Sequence, residues 1–124
     1  MLNRSGISKT TYGAPKQILA NVELQSSVGC IVDKAIGVAV GSKKIAKAGT
    51  PIVVDLMNLA TPATAAGATD MTAVLLHDVD VTEGNANGTA LIFGFVNVNR
   101  VESDVATKIA AVTTNKSQVT FMKA

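Results

Sequence analysis

The sequence is poor in the residues that build most binding and catalytic sites. Its 124 residues include one cysteine, one histidine, one tyrosine and no tryptophan, and only 16% of them are charged. The single cysteine, Cys30, excludes an internal disulfide and a thiolate zinc site, and its apolar neighbours predict a small buried hydrophobic residue. Because 48% of the residues are apolar, we expect one folded domain that covers some of its apolar surface in an assembly.

Charge of either sign is also scarce. The formal net charge is +2, and the basic excess lies in the first 22 residues, which contain Arg4, Lys9 and Lys16 and no acid. Nucleic-acid-binding faces usually combine dense basic residues with aromatic ones, so we expect no nucleic-acid partner. The N-terminus lacks the apolar core of a signal peptide, and no apolar run approaches the roughly 20 residues of a membrane helix. We therefore expect no membrane partner and a protein made in a cytoplasm.

The pattern along the chain is that of a mainly β domain. Residues 1–20 are polar and without a sustained period, which predicts an extended N-terminal arm, and residues 21–124 are predicted to form the domain. Short alternating or β-branched runs between glycines and prolines predict strands; they lie at 22–26, 30–32, 36–40, 43–46, 52–56 and 117–123. Residues 57–71 are predicted to be a loop, and about 101–112 one short helix. The predicted fold class is a compact β-sandwich or barrel-like domain.

The two longest predicted strands, residues 72–82 and 89–99, flank the segment Glu83–Gly88. Its Asn-Gly pair favours a tight hairpin turn. The second strand has two apolar faces, with Leu91, Phe93 and Phe95 on one and Ile92, Val96 and Val98 on the other, so it is predicted to be central and buried on both sides. The residues predicted to form the core or a subunit interface are His77, Leu91, Phe93 and Phe95.

The acids and amides of the same region superficially resemble calcium ligands. They are Asp78, Asp80, Glu83, Asn85 and Asn87. An EF-hand loop that starts at Asp78 needs glycine at its sixth position and glutamate at its twelfth, but those positions hold Glu83 and Thr89. A solvated strand face that leads into a turn explains these residues, and His77 has no recognisable nucleophile to serve. We therefore expect no catalytic residue, no cofactor and no metal.

Three segments resemble head decoration proteins of tailed bacteriophages, which also occur as the bases of head fibres. They are Lys47-Ala-Gly-Thr-Pro-Ile52, Val74-Leu-Leu-His-Asp-Val-Asp-Val-Thr82 with the turn that follows, and Leu91-Ile-Phe-Gly-Phe-Val-Asn-Val-Asn-Arg100. The resemblance covers roughly residues 45–100. It implies a cement protein on the outer surface of a phage head, made in the host bacterial cytoplasm. Such proteins form homotrimers that clamp neighbouring major capsid subunits against the pressure of packaged DNA.

The resemblance also assigns a role to the arm. Decoration proteins often run an N-terminal arm over the capsid and add a strand to it, a mode known as β-augmentation. The arm residues expected to contact the capsid are Arg4, Ile7, Lys9, Tyr12 and Lys16. A second class of function stays open, a small β binding module of a phage tail or baseplate or a carbohydrate-binding domain. The absence of tryptophan disfavours carbohydrate binding, which usually needs exposed aromatic rings.

Overall fold

The computed structural model describes residues 17–20 and 23–123, and these form a mainly β structure with one α-helix. The elements in chain order are β1 (Ser26–Val32), β2 (Val38–Val40), β3 (Lys43–Ala46), β4 (Pro51–Val53), β5 (Thr64–Ala65), β6 (Ala73–Leu75), β7 (Val79–Asp80), β8 (Ala86–Asn97), α1 (Ser103–Ala110) and β9 (Gln118–Met122). Single 3₁₀ turns follow β1 and β8. The predicted fold class is confirmed.

The described strands form two sheets. The larger one has the order β1-β8-β6-β4-β5, with β9 added beside the second half of β8, and the smaller one has the order β2-β3-β7. Ala63, just before β5, pairs with Val32 at the end of β1, so the larger sheet curls until its two ends touch. This single bridge does not close the sheet into a barrel, and the two sheets pack as a sandwich-like domain.

Strand β8 organises the larger sheet, as the sequence predicts. It pairs antiparallel with β1 and β6 and parallel with β9. Opposite Ser26 and Ser27 the register shifts, so that Phe93 and Leu91 have partners in β1 and Ile92 is the extra residue of a β-bulge. A bulge reverses the alternation of side chains. Beyond it, Phe93 therefore points away from the side on which Leu91 is buried.

Two clusters of buried side chains lie on opposite faces of this sheet. The first core fills the space between the two sheets; its largest members are Val32, Ile36, Ile52, Leu75, Val79 and Val81. The second core lies on the other face; it contains Ile18, Leu19, Met71, Val74, Leu91, Val96 and Val119. Successive side chains of β6 point to opposite faces of the sheet, so Leu75 belongs to the first core and its neighbour Val74 to the second.

The predicted strand 72–82 is wrong in its continuity. It is two strands: β6 pairs with β8 in the larger sheet, and β7 pairs with β3 in the smaller one. The residues between them, Leu76 to Asp78, carry the chain from one sheet to the other. Leu75 and Val79 still face the first core, because that core lies between the sheets. The alternation shows which side chains face the first core, but it carries no information about which strand lies alongside.

The tight hairpin predicted across Glu83–Gly88 is wrong, because β7 and β8, the strands on either side of it, lie in different sheets. The turn lies at residues 82–84, where Gly84 has φ 136°, and β8 already begins at Ala86. Gly88 is therefore a strand residue, and a Cβ at this position would lie 2.6 Å from Val32 Cγ2. Glycine is needed here because β8 passes close to side chains of the first core, and the turn does not require it.

Several shorter predictions are confirmed. Val38–Val40 and Lys43–Ala46 form a hairpin whose turn has Gly41 at φ 63°. Pro51 occupies the first position of β4, and the helix lies inside the predicted range 101–112. The strand predicted at 22–26 begins only at Ser26, and the predicted loop 57–71 contains the short strand β5.

The end of the predicted arm belongs to the folded body. Ile18 is fully buried and Leu19 is 5% exposed, both within the second core. Leu19 pairs with Val96, and the Ala20 N–H donates to the Phe95 carbonyl at 2.8 Å. Residues 17–20 thus form part of the body, and the arm prediction for residues 1–16 lies outside the described residues.

Candidate functional site

The acids and amides that resemble calcium ligands hold backbone groups instead. Asp78 Oδ1 accepts a hydrogen bond from the Ala48 N–H at 2.7 Å, which ties the crossing between β6 and β7 to the β3–β4 turn. Asn85 Oδ1 accepts from the Lys34 N–H at 2.8 Å. Within residues 17–20 and 23–123, no three acidic, histidine or cysteine side chains come close enough together to hold a metal ion.

The Asp80 carboxylate accepts hydrogen bonds from the turn that follows β7 and lies near a lysine. Its Oδ1 accepts from the Thr82 N–H at 2.9 Å, and Lys43 Nζ lies 3.9 Å from Oδ2. The bonds from Thr82, first that of its side chain and then that of its backbone, lower the pKa of Asp80, and the charge of Lys43 adds to the effect. Both side chains are more than half exposed, so this pair stabilises the local turn only weakly.

His77 lies at the crossing between the sheets and is half-buried. Its Nδ1 is shielded from water and has no hydrogen-bond partner among the described residues. The four residues predicted together do not share one face, since Leu91 is in the second core and Phe93 and Phe95 lie on the opposite face of β8. Cys30 is buried as predicted, and burial raises the pKa of its thiol.

Sequence reasoning missed one charged cluster. Lys47 Nζ lies 3.1 Å from Glu102 Oε1 and 3.1 Å from Asp104 Oδ2, and the lysine side chain is only 16% exposed. The hydrogen bonds to Asp104 and Glu102 raise the pKa of Lys47. Partial burial opposes the shift at Asp104, but the bond and charge of Lys47 lower its pKa on balance. The cluster clamps the β3–β4 turn onto the start of α1.

The aromatic pair predicted at an interface is exposed in the isolated chain. Phe93 is 41% exposed, and its ring meets that of Phe95 edge to face with centroids 6.4 Å apart. The β-bulge at Ile92 turns both rings away from the second core. Leu91, by contrast, is fully buried and cannot contact a partner.

Met57, the most exposed of the large apolar side chains in the described part of the chain, lies on a loop that follows β4. We call residues 55–61 the apolar loop. It presents Leu56 at 51% exposure, Met57 at 94% and Leu59 at 38%. Turn residues are normally polar or glycine, so three large apolar side chains at this position are unusual. The signal was present in Leu56-Met57-Asn58-Leu59, but the alanine- and threonine-rich segment that follows obscured it.

An apolar groove lies beside the apolar loop, and we call it the β8 groove. Its volume is about 490 Å³; the apolar side chains Val54, Leu56, Ile92 and Phe93 line it together with polar ones, among them the charged residues Asp55 and Lys116. The bulge of β8 forms one wall and the chain leaving β4 forms the other.

Comparisons with known proteins add no assignment. No protein-family model matches the chain, and no curated protein matches it. None of the described helices is long and apolar enough to cross a membrane. The capsid-contact residues predicted in the arm, which are Arg4, Ile7, Lys9, Tyr12 and Lys16, lie outside the described residues.

Proposed function

We propose that this chain is a structural virion protein, a decoration or cement protein of a bacteriophage head. It binds the outer capsid surface as a homotrimer and clamps neighbouring major capsid subunits, without catalysis. The observation that carries the proposal is the exposed apolar surface of Met57, Phe93 and their neighbours on a body with two packed cores. Exposed apolar surface of this kind marks protein–protein contact.

The segments that resemble decoration proteins lie within the folded body. The turn at residues 47–50 carries the Lys47 clamp, residues 74–82 cross between the sheets, and residues 91–97 are the second half of β8. These segments contribute to both cores. A cement protein needs a folded body that keeps its shape, because a body that deforms under force could not hold neighbouring capsid subunits together.

Clamping follows from mass action. A protein that binds only correctly spaced capsid subunits stabilises that arrangement by RT ln(1 + [L]/Kd), which is about 2.7 kcal/mol per site when the free concentration is 100 times Kd. Many sites on one shell multiply the effect. The protein therefore needs no chemistry; it needs a lasting interface and a high local copy number.

The arm supplies the second contact in this proposal. Because residues 17–20 pair with β8 near Val96, the chain enters the body at that end of the larger sheet. Residues 1–16 precede this point, and as an added strand on the capsid they would gain backbone hydrogen bonds, with Ile7 and Tyr12 as side-chain anchors. Arg4, Lys9 and Lys16 add an attraction that salt screens over about 10 Å.

The test is to mix the purified chain with undecorated heads of the phage that encodes it and to image the particles by electron cryomicroscopy. We expect the two-sheet body in regular threefold clusters on the outer surface, and decorated heads that survive heating better than bare ones. Density on the tail alone, or no binding to heads, would refute the proposal.

Two arm variants make this test sharper. Deleting residues 2–16 should abolish head binding while the far-ultraviolet dichroism of the β body is retained. Changing Arg4, Lys9 and Lys16 to glutamine is the matched control, and it should retain most of the occupancy at physiological salt, because the charge contribution is screened. Full occupancy by the deletion variant would place the capsid contact on the body.

A further inference from the structure

The apolar loop and the β8 groove together form a self-complementary surface, and we propose that a second copy of this chain docks there, with Met57 of one copy inserted into the β8 groove of the other. The inference rests on the homotrimer of the proposed function and deepens it by naming the residues that meet between copies, a contact that can be tested without a capsid. It assigns the contact between copies to Phe93, which the sequence also predicts at an interface, and to Met57, which the sequence patterns do not single out.

The loop is held ready for docking. The Met57 N–H donates to Asp55 Oδ1 at 3.0 Å, and the Asn58 N–H donates to the Asp55 carbonyl at 3.0 Å. The next turn repeats the arrangement, with the Ala60 and Thr61 N–H groups bonded to Asn58. Because these bonds fix the backbone before contact, docking loses little conformational entropy. The turn therefore keeps Met57 94% exposed. This exposure adds nothing to the stability of a chain alone in solution.

The groove offers what a methionine side chain needs. Its walls are apolar at Val54, Ile92 and Phe93, and thioether groups pack favourably against aromatic rings. Methionine is unbranched, so it adapts to an irregular groove such as the one that the bulge of β8 creates. Aromatic residues and methionine are also enriched at the centres of protein interfaces.

The charged residues that line the β8 groove favour a second copy of the same chain as the partner that binds there. Asp55 and Lys116 border the same groove and have opposite signs, and neither forms a salt bridge within the described part of the chain. One surface thus carries a projecting side chain, a groove that can receive it, and charges of both signs. Two copies related by a rotation can therefore pair the side chain of one with the groove of the other, and each charge with its opposite. Asp55 of one copy then faces Lys116 of the next, which sets the register of the contact.

The first experiment measures the mass of the purified chain by light scattering over a range of concentrations. We expect a closed oligomer for the wild type, and for Met57→Lys a dissociation constant at least about tenfold higher. Met122→Lys is the matched control: Met122 is 43% exposed and lies at the far end of β9 from the groove, so this change should leave the mass unaltered. A monomeric wild type, or an oligomer indifferent to Met57→Lys, overturns the proposal.

A cross-linking experiment identifies the contact itself. Met57→Cys protein is mixed with Phe93→Cys protein under mild oxidation, and we expect disulfide-linked heterodimers, because residue 57 of one chain meets the groove of the other. A mixture of Met57→Cys with Met122→Cys is the control and should give few. Cys30 is buried and contributes little background. Equal yields in the two mixtures would contradict the insertion of Met57, whatever the outcome of head binding.

Discussion

The two cores differ in what covers them. The first core is closed by a second sheet, in which Ala46 and Val79 are held by a ladder of backbone hydrogen bonds. The second core is closed by separate pieces of chain, namely residues 17–20, the segment around Met71, and the start of the segment that contains α1. The first cover is fixed by register, whereas the parts of the second are held by isolated bridges: Leu19 pairs with Val96 of β8, and Met71 pairs with Asn115, which precedes β9.

This difference explains where the sequence was easy to interpret. A core between two sheets needs strict alternation on both, and alternation is visible in the sequence. A core covered by isolated segments needs only a few apolar residues at irregular spacing, such as Ile18 and Leu19. Such residues cannot be told from an unfolded arm without knowing what lies opposite them.

The largest expected effect tests the two covers with one chemistry. Ile52 in the first core and Ile18 in the second are both fully buried. Replacement of either by alanine should destabilise the fold by about 2–5 kcal/mol. Ile52→Ala should be nearer the upper end, because the ladder around β4 resists collapse into the cavity, whereas residues 17–20 can shift.

Urea unfolding measures both variants, with the m-value showing whether the transition stays two-state. A loss below about 0.5 kcal/mol for Ile18→Ala, the size of an ordinary surface substitution, would mean that residues 17–20 belong to the arm. The comparison of the two cores would then fail.

The next effect sharpens the description of the first core. A Cβ on Gly88 would lie 2.6 Å from Val32 and 3.0 Å from Val79, whereas a Cβ on Gly29 of the neighbouring strand would meet nothing within 4 Å. Gly88→Ala should therefore cost about 1–3 kcal/mol by overpacking. Gly29→Ala should be neutral or stabilise by up to about 1 kcal/mol through the unfolded state. Thermal melting distinguishes them, and equal melting temperatures would refute close packing at Gly88.

The smallest expected effect concerns the Lys47 clamp near the second core. Lys47→Met should lower the stability only slightly, because Glu102 and Asp104 are nearly half exposed and water screens the pairs. The pKa of Asp104 is lowered, so its contribution is present above about 3.8 and is lost as the pH falls through the pKa of the folded state. The pKa of Lys47 is raised, so its contribution is complete below 10.5 and is lost as the pH rises through the pKa of the folded state.

Unfolding of wild type and Lys47→Met across pH should therefore give curves that differ between these limits and converge at both extremes. Lys43→Met is the control, since that side chain is 61% exposed and 3.9 Å from Asp80. Its effect should be smaller still. A difference between wild type and Lys47→Met that persists at pH 2 would mean that packing of the lysine stem, rather than its charge, carries the effect.

Part of the candidate surface was predictable and part was not. The apolar faces of the 89–99 strand identified Phe93 and Phe95 as candidates for a partner contact, and both are partly exposed. The same reasoning grouped Leu91 with them, because strict alternation has no place for the bulge at Ile92, which sends Leu91 to the opposite face. The apolar loop was not predicted for a related reason. Its side chains are exposed because backbone N–H groups donate to Asp55 and Asn58 in two successive turns, and such turns leave no periodic pattern in the sequence.

The sequence by itself determined the fold class, the two short strands on either side of Gly41 and the position of α1. These depend on local backbone preference or on alternation, both of which act over a few residues. Only the tertiary structure decided that residues 73–81 divide between two sheets, that β9 runs parallel to β8, and that Ile18 lies in a core. Each of these depends on a partner distant in sequence, and an alternating pattern specifies which side of a strand is buried without specifying the strand that lies beside it.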